Sequence, residues 1–231
     1  MRASFVVGAA AAAAWTLPAA APVVPAVARG LRVPRTIDAP GGIALTFDDG
    51  PHPQGTPAVL EALDREGAKA TFFVVGEQVE RSPALAAEIV AAGHAIALHG
   101  HRHRCLLRVS PRALSSDFDH VAAVVADATG LAPELYRPPY GIFSPAGVAL
   151  ARRRGWGLLL WSRWGRDWAA RATPGTIAAK TTSGGLAAGD VLLLHDADTY
   201  SAPGSWRRTT GALPRILEAV QAAGLRPVTL A

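Results

Sequence analysis

The sequence predicts an α/β fold in which seven short parallel strands alternate with helices and curl into a small, irregular barrel. Three observations carry that prediction. From residue 43 onward, short apolar runs alternate with amphipathic stretches. Those runs are apolar almost without interruption, as strands buried on both faces are. And seven strand–helix units packed into residues 43–231 suit a closing barrel better than an open sheet.

The elements follow in order. The first strand is 43–47, "IALTF". Thr56-Pro57 opens a helix, with Thr as N-cap and Pro at the first helical position, and Gly67 ends it. Strand 70–75 comes next. Ser82-Pro83 opens the second helix, Gly93 stops it, and strand 95–98 follows. Ser110-Pro111 starts a third helix that runs to Gly130, before strand 134–137. Ser144-Pro145 starts a fourth, ending near Gly155, before strand 157–161. Thr173-Pro174 begins a less regular helix that decays into "TTSGG". Strand 191–195, a helix over 213–224 and strand 226–230 complete the chain. No internal repeat of fixed period is present.

Composition narrows the class. Of 231 residues, 50% are hydrophobic and 18% charged, which suits a folded domain and excludes disorder. The net charge is +5, carried by arginine; only Lys69 and Lys180 are lysines. Arg152, Arg153 and Arg154 close a predicted helix, where cations favour the helix dipole. No aromatic-interleaved basic stripe accompanies them, so nucleic acid is not an expected partner. Cys105 is the sole cysteine, so no intrachain disulfide forms, and its leucine neighbours predict a buried small apolar residue.

No charge intervenes between Arg2 and Arg29, and "FVVGAAAAAAWTL" has the length of a signal-peptide apolar core. Ala26-Val27-Ala28 offers a small-x-small cleavage pattern. Prolines at 18, 22 and 25 disfavour a straight spanning helix. The expectation is a signal peptide over 1–28, with membrane association through residues 3–28 as the alternative. A linker over 29–42 and a domain over 43–231 would follow. The expected location is secreted or in the cell envelope.

In parallel α/β folds, chemistry gathers at the carboxyl ends of the strands. Polar residues fall there: Asp48-Asp49 after the first strand, His99 after the third, Arg137 closing the fourth, Asp167 a few residues past the fifth, and His195-Asp196 at the sixth. His99 and His103 are four apart, so one helical turn puts both imidazoles on one face. Two histidines and a carboxylate form a common open set for a divalent metal, and Asp49 is the natural third ligand. The cation would offset one of two adjacent like charges and leave Asp48 as a base. His101 is expected to face solvent or to support the ligands, and His94 to be structural. His52 and His120 have no supporting context. Taken singly, "DDGP" is an ordinary turn and "LLLH" an ordinary core histidine; it is their joint placement at strand ends that argues for one site.

The set resembles the polysaccharide deacetylases with a NodB-homology domain, the fourth family of carbohydrate esterases, over roughly residues 43–230. "TFDDGP" is similar to the family's first motif, "HGHRH" to its second, "RPPYG" to its third and "LLH" to its fifth. The resemblance implies a distorted (β/α)7 barrel and a divalent metal: Zn2+ first, with Co2+ or Mn2+ also functional. It implies that Asp49, His99 and His103 bind the metal, that Asp48 is the general base and that His195 is the general acid. Arg137 would hold Asp48 and Asp167 would orient His195. The backbone N–H of Tyr140 would face the oxyanion, and Leu193 and Trp168 would line the acetyl pocket. The implied substrate is an acetylated glycan, N-acetyl or O-acetyl. Alternatives are hydrolysis of another non-peptide carbon–nitrogen bond, or a carbohydrate-binding member with impaired catalysis.

One departure stands out. The family's fourth motif runs Asp-x-x-Asp-Trp, and here Trp164 takes its first position, with Asp167 and Trp168 retained. Trp161, Trp164 and Trp168 are expected either to stack on sugars or to pack, and Trp206, placed in a loop after His195, as a further sugar contact. No long insertion is present to form a lid, which favours an open groove.

Overall fold

The computed structural model describes residues 15–230. Most of the apolar run 5–17, on which the signal-peptide expectation rests, lies outside those residues. Among the described residues no helix is long and apolar enough to cross a membrane.

Eight strands form one sheet: β1 (Gly42–Asp48), β2 (Thr71–Val74), β3 (Ala95–Leu98), β4 (Leu135–Tyr136), β5 (Gly157–Leu158), β6 (Arg163–Trp164), β7 (Val191–His195) and β8 (Arg226–Val228). Their order is β5-β4-β3-β2-β1-β7-β6, with β8 also paired to β1. Every pairing between these strands is parallel. β1 is the axis of the molecule. All seven of its residues are buried, which is why it reads as one apolar run. Along one side its end pairs with β2 and its start with β8, while β7 covers the other side.

Register then fixes the site. Asp48 pairs directly with His195 across β1 and β7. Val74 pairs with Leu98, and Leu98 with Tyr136, so His99 and Arg137 emerge at the same rim. The sequence-predicted strand ends therefore do converge.

The barrel is left open between β5 and β6. The expected strand over 157–161 stops at Leu158, and the chain turns away to start β6, an element too short and too polar to have been expected. Side chains replace the missing ladder. Arg137 donates to the carbonyls of Leu159 (3.2 Å) and Leu160 (3.0 Å), and Arg35 to that of Trp161 (2.9 Å). Buried carbonyls without such donors would be costly.

The helices are α1 (Pro25–Gly30), α2 (Gly55–Arg65), α3 (Gly76–Arg81), α4 (Pro83–Ala91), α5 (Pro111–Thr129), α6 (Pro145–Arg153), α7 (Pro174–Thr181) and α8 (Ser205–Ala222). Ser110 and Ser144 cap α5 and α6 through their hydroxyls, Thr173 and Thr176 form a capping box on α7, and Gly130 ends α5 in the left-handed conformation. Thr56 departs from expectation: it lies inside α2, fully buried, rather than capping it. α8 starts eight residues before the expected helix and carries Pro214 in its interior. Residues ahead of β1 lie against the barrel. Ala21, Ala28 and Val33 are buried, and Thr36 bridges to Asp190. Cys105 is half-buried rather than buried.

Candidate active site and metal centre

At the carboxyl rim of the sheet is a pocket of about 300 Å³. Asp48, Asp49, His99, His103, Tyr140, Trp161, Trp168, Leu193 and His195 all line it, so nearly every residue expected at the site meets there. Arg137 and Asp167 stand behind the wall, fully buried.

The segment after β1 is shaped to present two carboxylates. Asp49 has φ = 81°, a conformation a non-glycine residue seldom adopts and one that costs about 1–3 kcal/mol. Gly50 and Gly55 let this segment close onto Asp196: a Cβ on Gly50 would collide with the Asp196 carboxylate, and one on Gly55 with its carbonyl. Asp196 thus faces away from the chemistry, accepting from the Thr56 hydroxyl, and its burial raises the carboxyl to about 7 against that hydrogen bond.

The three expected ligands come together. Asp49 Oδ1 lies 3.2 Å from His103 Nε2 and 3.5 Å from His99 Nε2, and donor atoms of all three fall within 4.8 Å of one another. Nδ1 of His99 sits 2.8 Å from the carbonyl of Arg137, an acceptor, so Nδ1 carries the proton and Nε2 keeps its lone pair. Burial, against the pull of Asp48 and Asp49, holds the His99 imidazole at about 4 and hence neutral near pH 7. Burial alone would raise the Asp49 carboxyl, yet the surrounding imidazoles of His103, His195 and His99 outweigh it and keep the group at about 2. Asp49 Oδ1 is buried with no hydrogen bond of proper geometry. An ionised oxygen and a neutral imidazole nitrogen facing one another, the former unpartnered, fit a divalent transition ion.

Asp48 Oδ1 accepts from Arg137 Nη1 at 2.7 Å, and its other oxygen lies 3.8 Å from His99 Nε2. The same Arg137 nitrogen donates to Thr46 Oγ1, and the guanidinium lies 4.0 Å from the centre of the Phe73 ring. On the neighbouring strand, His195 Nδ1 sits 3.0 Å from Asp167 Oδ1, while Asp167 Oδ2 accepts from the His195 backbone N–H (2.7 Å) and the Thr209 hydroxyl (2.8 Å). Burial works against a charged imidazole, but the charge and hydrogen bond of Asp167, with Asp49 and Asp48 beyond, raise His195 to about 10.

No motif or spacing pointed to Tyr200. Its ring stacks on His103 at 4.1 Å, its hydroxyl donates to Glu77 (2.7 Å) and accepts from Gln78 (2.9 Å), and it lines the pocket. Tyr140, with φ = 61°, packs edge-on to the same imidazole from an exposed position. Trp161 lines the pocket with its indole N–H buried and without a partner, and Trp168 meets His195 edge-on. Trp164 is half-buried in β6 against Trp161 and is not among the pocket-lining residues. Trp206 corrects the sequence reading. It is buried in the first turn of α8 beside His52, rather than in a sugar-facing loop. His52 has a role of its own, accepting from the Gly55 N–H at the start of α2. His94 is structural, as expected: its Nδ1 accepts from the Ala70 N–H at 3.1 Å. His101 is not solvent-facing but buried against His120.

Comparison with known proteins places this geometry. A peptidoglycan-N-acetylglucosamine deacetylase of Bacillus cereus is 34% identical over 189 residues, covering 81% of this chain and 85% of that protein. A chitooligosaccharide deacetylase of Bradyrhizobium sp. is 37% identical over 177 residues, covering 75% and 77%. The crystal structure of a peptidoglycan N-acetylglucosamine deacetylase, in complex with a naphthyl-substituted N-oxidanyl-benzamide, superposes with a TM-score of 0.76 at 30% identity, covering 82% of this chain and 86% of that one. Residues 37–157 match the family model for polysaccharide deacetylase, and with its barrel and its rim of paired carboxylates and histidines the chain belongs to that family.

Proposed function

We propose that the chain removes acetyl groups, N-acetyl in preference to O-acetyl, from an extracytoplasmic glycan such as peptidoglycan or a chitooligosaccharide. The observation that carries this reading is the meeting of two charged pairs, Asp48–Arg137 and His195–Asp167, with the Asp49–His99–His103 cluster at one pocket. The family uses a divalent metal, and Asp49, His99 and His103 would hold it, Zn2+ suiting two imidazoles and a carboxylate, with Co2+ or Mn2+ as substitutes. When bound, the ion polarises the acetyl carbonyl and makes water a usable nucleophile near neutral pH.

The protein's own groups do the rest. Asp48 takes the proton of the attacking water, and Arg137 fixes the carboxylate for that transfer. The N–H of Tyr140 meets the charge that develops on the carbonyl oxygen. An amine leaves poorly unless protonated, so His195 supplies the proton. Leu193 and Trp168 receive the acetyl methyl. Residues 1–28 direct export and 43–231 form the catalytic domain; the exported protein should begin at Arg29, and mass spectrometry finding residue 1 intact would contradict that.

The test is acetate release from a panel of peptidoglycan, chitooligosaccharides, acetylated xylan and a small acetyl ester. Release is expected to be fastest from the N-acetylated glycans. Release from none of them, with metal demonstrably bound, would overturn the reading.

Asp167 adds a prediction with a defined sign. His195 acts in its protonated form, and Asp167 raises its pKa. Asp167→Asn removes that support, so the alkaline limb of kcat/KM should move to lower pH. An unmoved limb would mean that Asp167 only packs.

A further inference from the structure

We propose that Glu80, His101 and His120 form a second binding site for a divalent transition ion, distinct from the cluster at the pocket. Three elements converge there. Glu80 stands near the end of α3, His101 in the loop after β3, and His120 in the middle of α5. One ligand atom from each falls within 4.8 Å of the others. Nε2 of His120 lies 2.8 Å from Glu80 Oε1, and the rings of His101 and His120 meet edge-on with centroids 4.3 Å apart.

A surface ion pair explains Glu80 and His120 alone but does not explain His101. That imidazole is only 8% exposed, and its Nδ1 is buried without a hydrogen-bond partner. Burying a polar ring atom unpaired is costly. A cation coordinated by both rings and the carboxylate relieves that cost. Two nitrogens and one oxygen select a borderline ion, Zn2+, Ni2+, Cu2+ or Co2+, over Mg2+ or Ca2+. Glu80 and His120 are exposed, so the ion enters from solvent and water fills its remaining positions.

The site sits on the backbone of the first one. His101 is the central residue of the segment His99 to His103, and α3 also carries Glu77 and Gln78, which hold Tyr200 against His103. An ion here ties that segment to α3 and α5.

The experiment counts metal rather than turnover. The untagged, metal-stripped chain is dialysed to equilibrium against zinc and its content measured by elemental mass spectrometry. Wild type, His120→Gln, Glu80→Gln and Asp49→Asn are compared, with circular dichroism confirming the fold of each. The expected counts are two ions in wild type and one in each variant, with acetate release retained by His120→Gln and lost by Asp49→Asn. A wild-type count of one, or a His120→Gln count other than one, overturns the proposal. Failure of the deacetylase reading would show separately, as two ions bound without acetate release.

Discussion

Asp48→Asn is expected to lower kcat by about 10²–10⁴-fold, the usual cost of removing a general base. The substitution is nearly isosteric. Its amide oxygen can still accept from Arg137, and Asp49, His99 and His103 are untouched, so metal content should stay at the wild-type level. Only the capacity to take a proton at the pocket wall is lost. Initial rates of acetate release with metal analysis on the same samples check this. A variant within tenfold of wild type would remove Asp48 from the mechanism, and a variant that loses its metal would instead make Asp48 a ligand.

Arg137→Met should have the largest effect on stability. The guanidinium is fully buried, pairs with Asp48, and supplies the donors for two carbonyls in the gap between β5 and β6. Breaking a buried ion pair by removing one partner costs about 3–5 kcal/mol, and each stranded buried acceptor adds about 1–3 kcal/mol. Domains of this kind have about 5–15 kcal/mol in total, so the variant should be marginally folded or insoluble. Arg137→Lys keeps a charge but loses the planar fork that reaches Asp48 and both carbonyls together, and should fall between the two. Urea denaturation measures the series. A midpoint for Arg137→Met close to wild type would mean that the gap is held by other contacts.

These two residues were legible in the sequence for a common reason. β1, β3 and β7 are buried on both faces, so their sequences are unbroken apolar runs, and the polar residues that end them mark the rim of the sheet. Asp48, Asp49, His99 and His195 were found that way, and Arg137 closes a strand whose end was likewise visible. What stayed hidden depends on contacts between distant segments. β6 has two residues and exists because β7 offers it an edge. Thr56 carries a helix-start pattern, but its hydroxyl is claimed by Asp196, 140 residues away. Trp206 falls in a loop if the helix spans only 213–224, whereas α8 begins at Ser205 and continues through Pro214. Tyr200 acquires meaning only once its loop folds over His103. His101 and His120 belong to different elements, and no spacing rule joins them to Glu80.

Trp164 bears on the question of impaired catalysis. It stands outside the lining of the pocket, while Asp167, the carboxylate that touches His195, is retained and fully hydrogen-bonded. The Asp167–His195 pair therefore forms without an aspartate at position 164.

Acetyl transfer to water is expected to depend on a cation held by Asp49, His99 and His103. The most direct test is acetate release from a chitooligosaccharide by the metal-stripped chain, before and after zinc is returned, beside Asp49→Ala treated identically. Release by the wild-type chain is expected only after zinc is returned, and none above background from Asp49→Ala. Release at an undiminished rate by the stripped chain, or by Asp49→Ala, would contradict it.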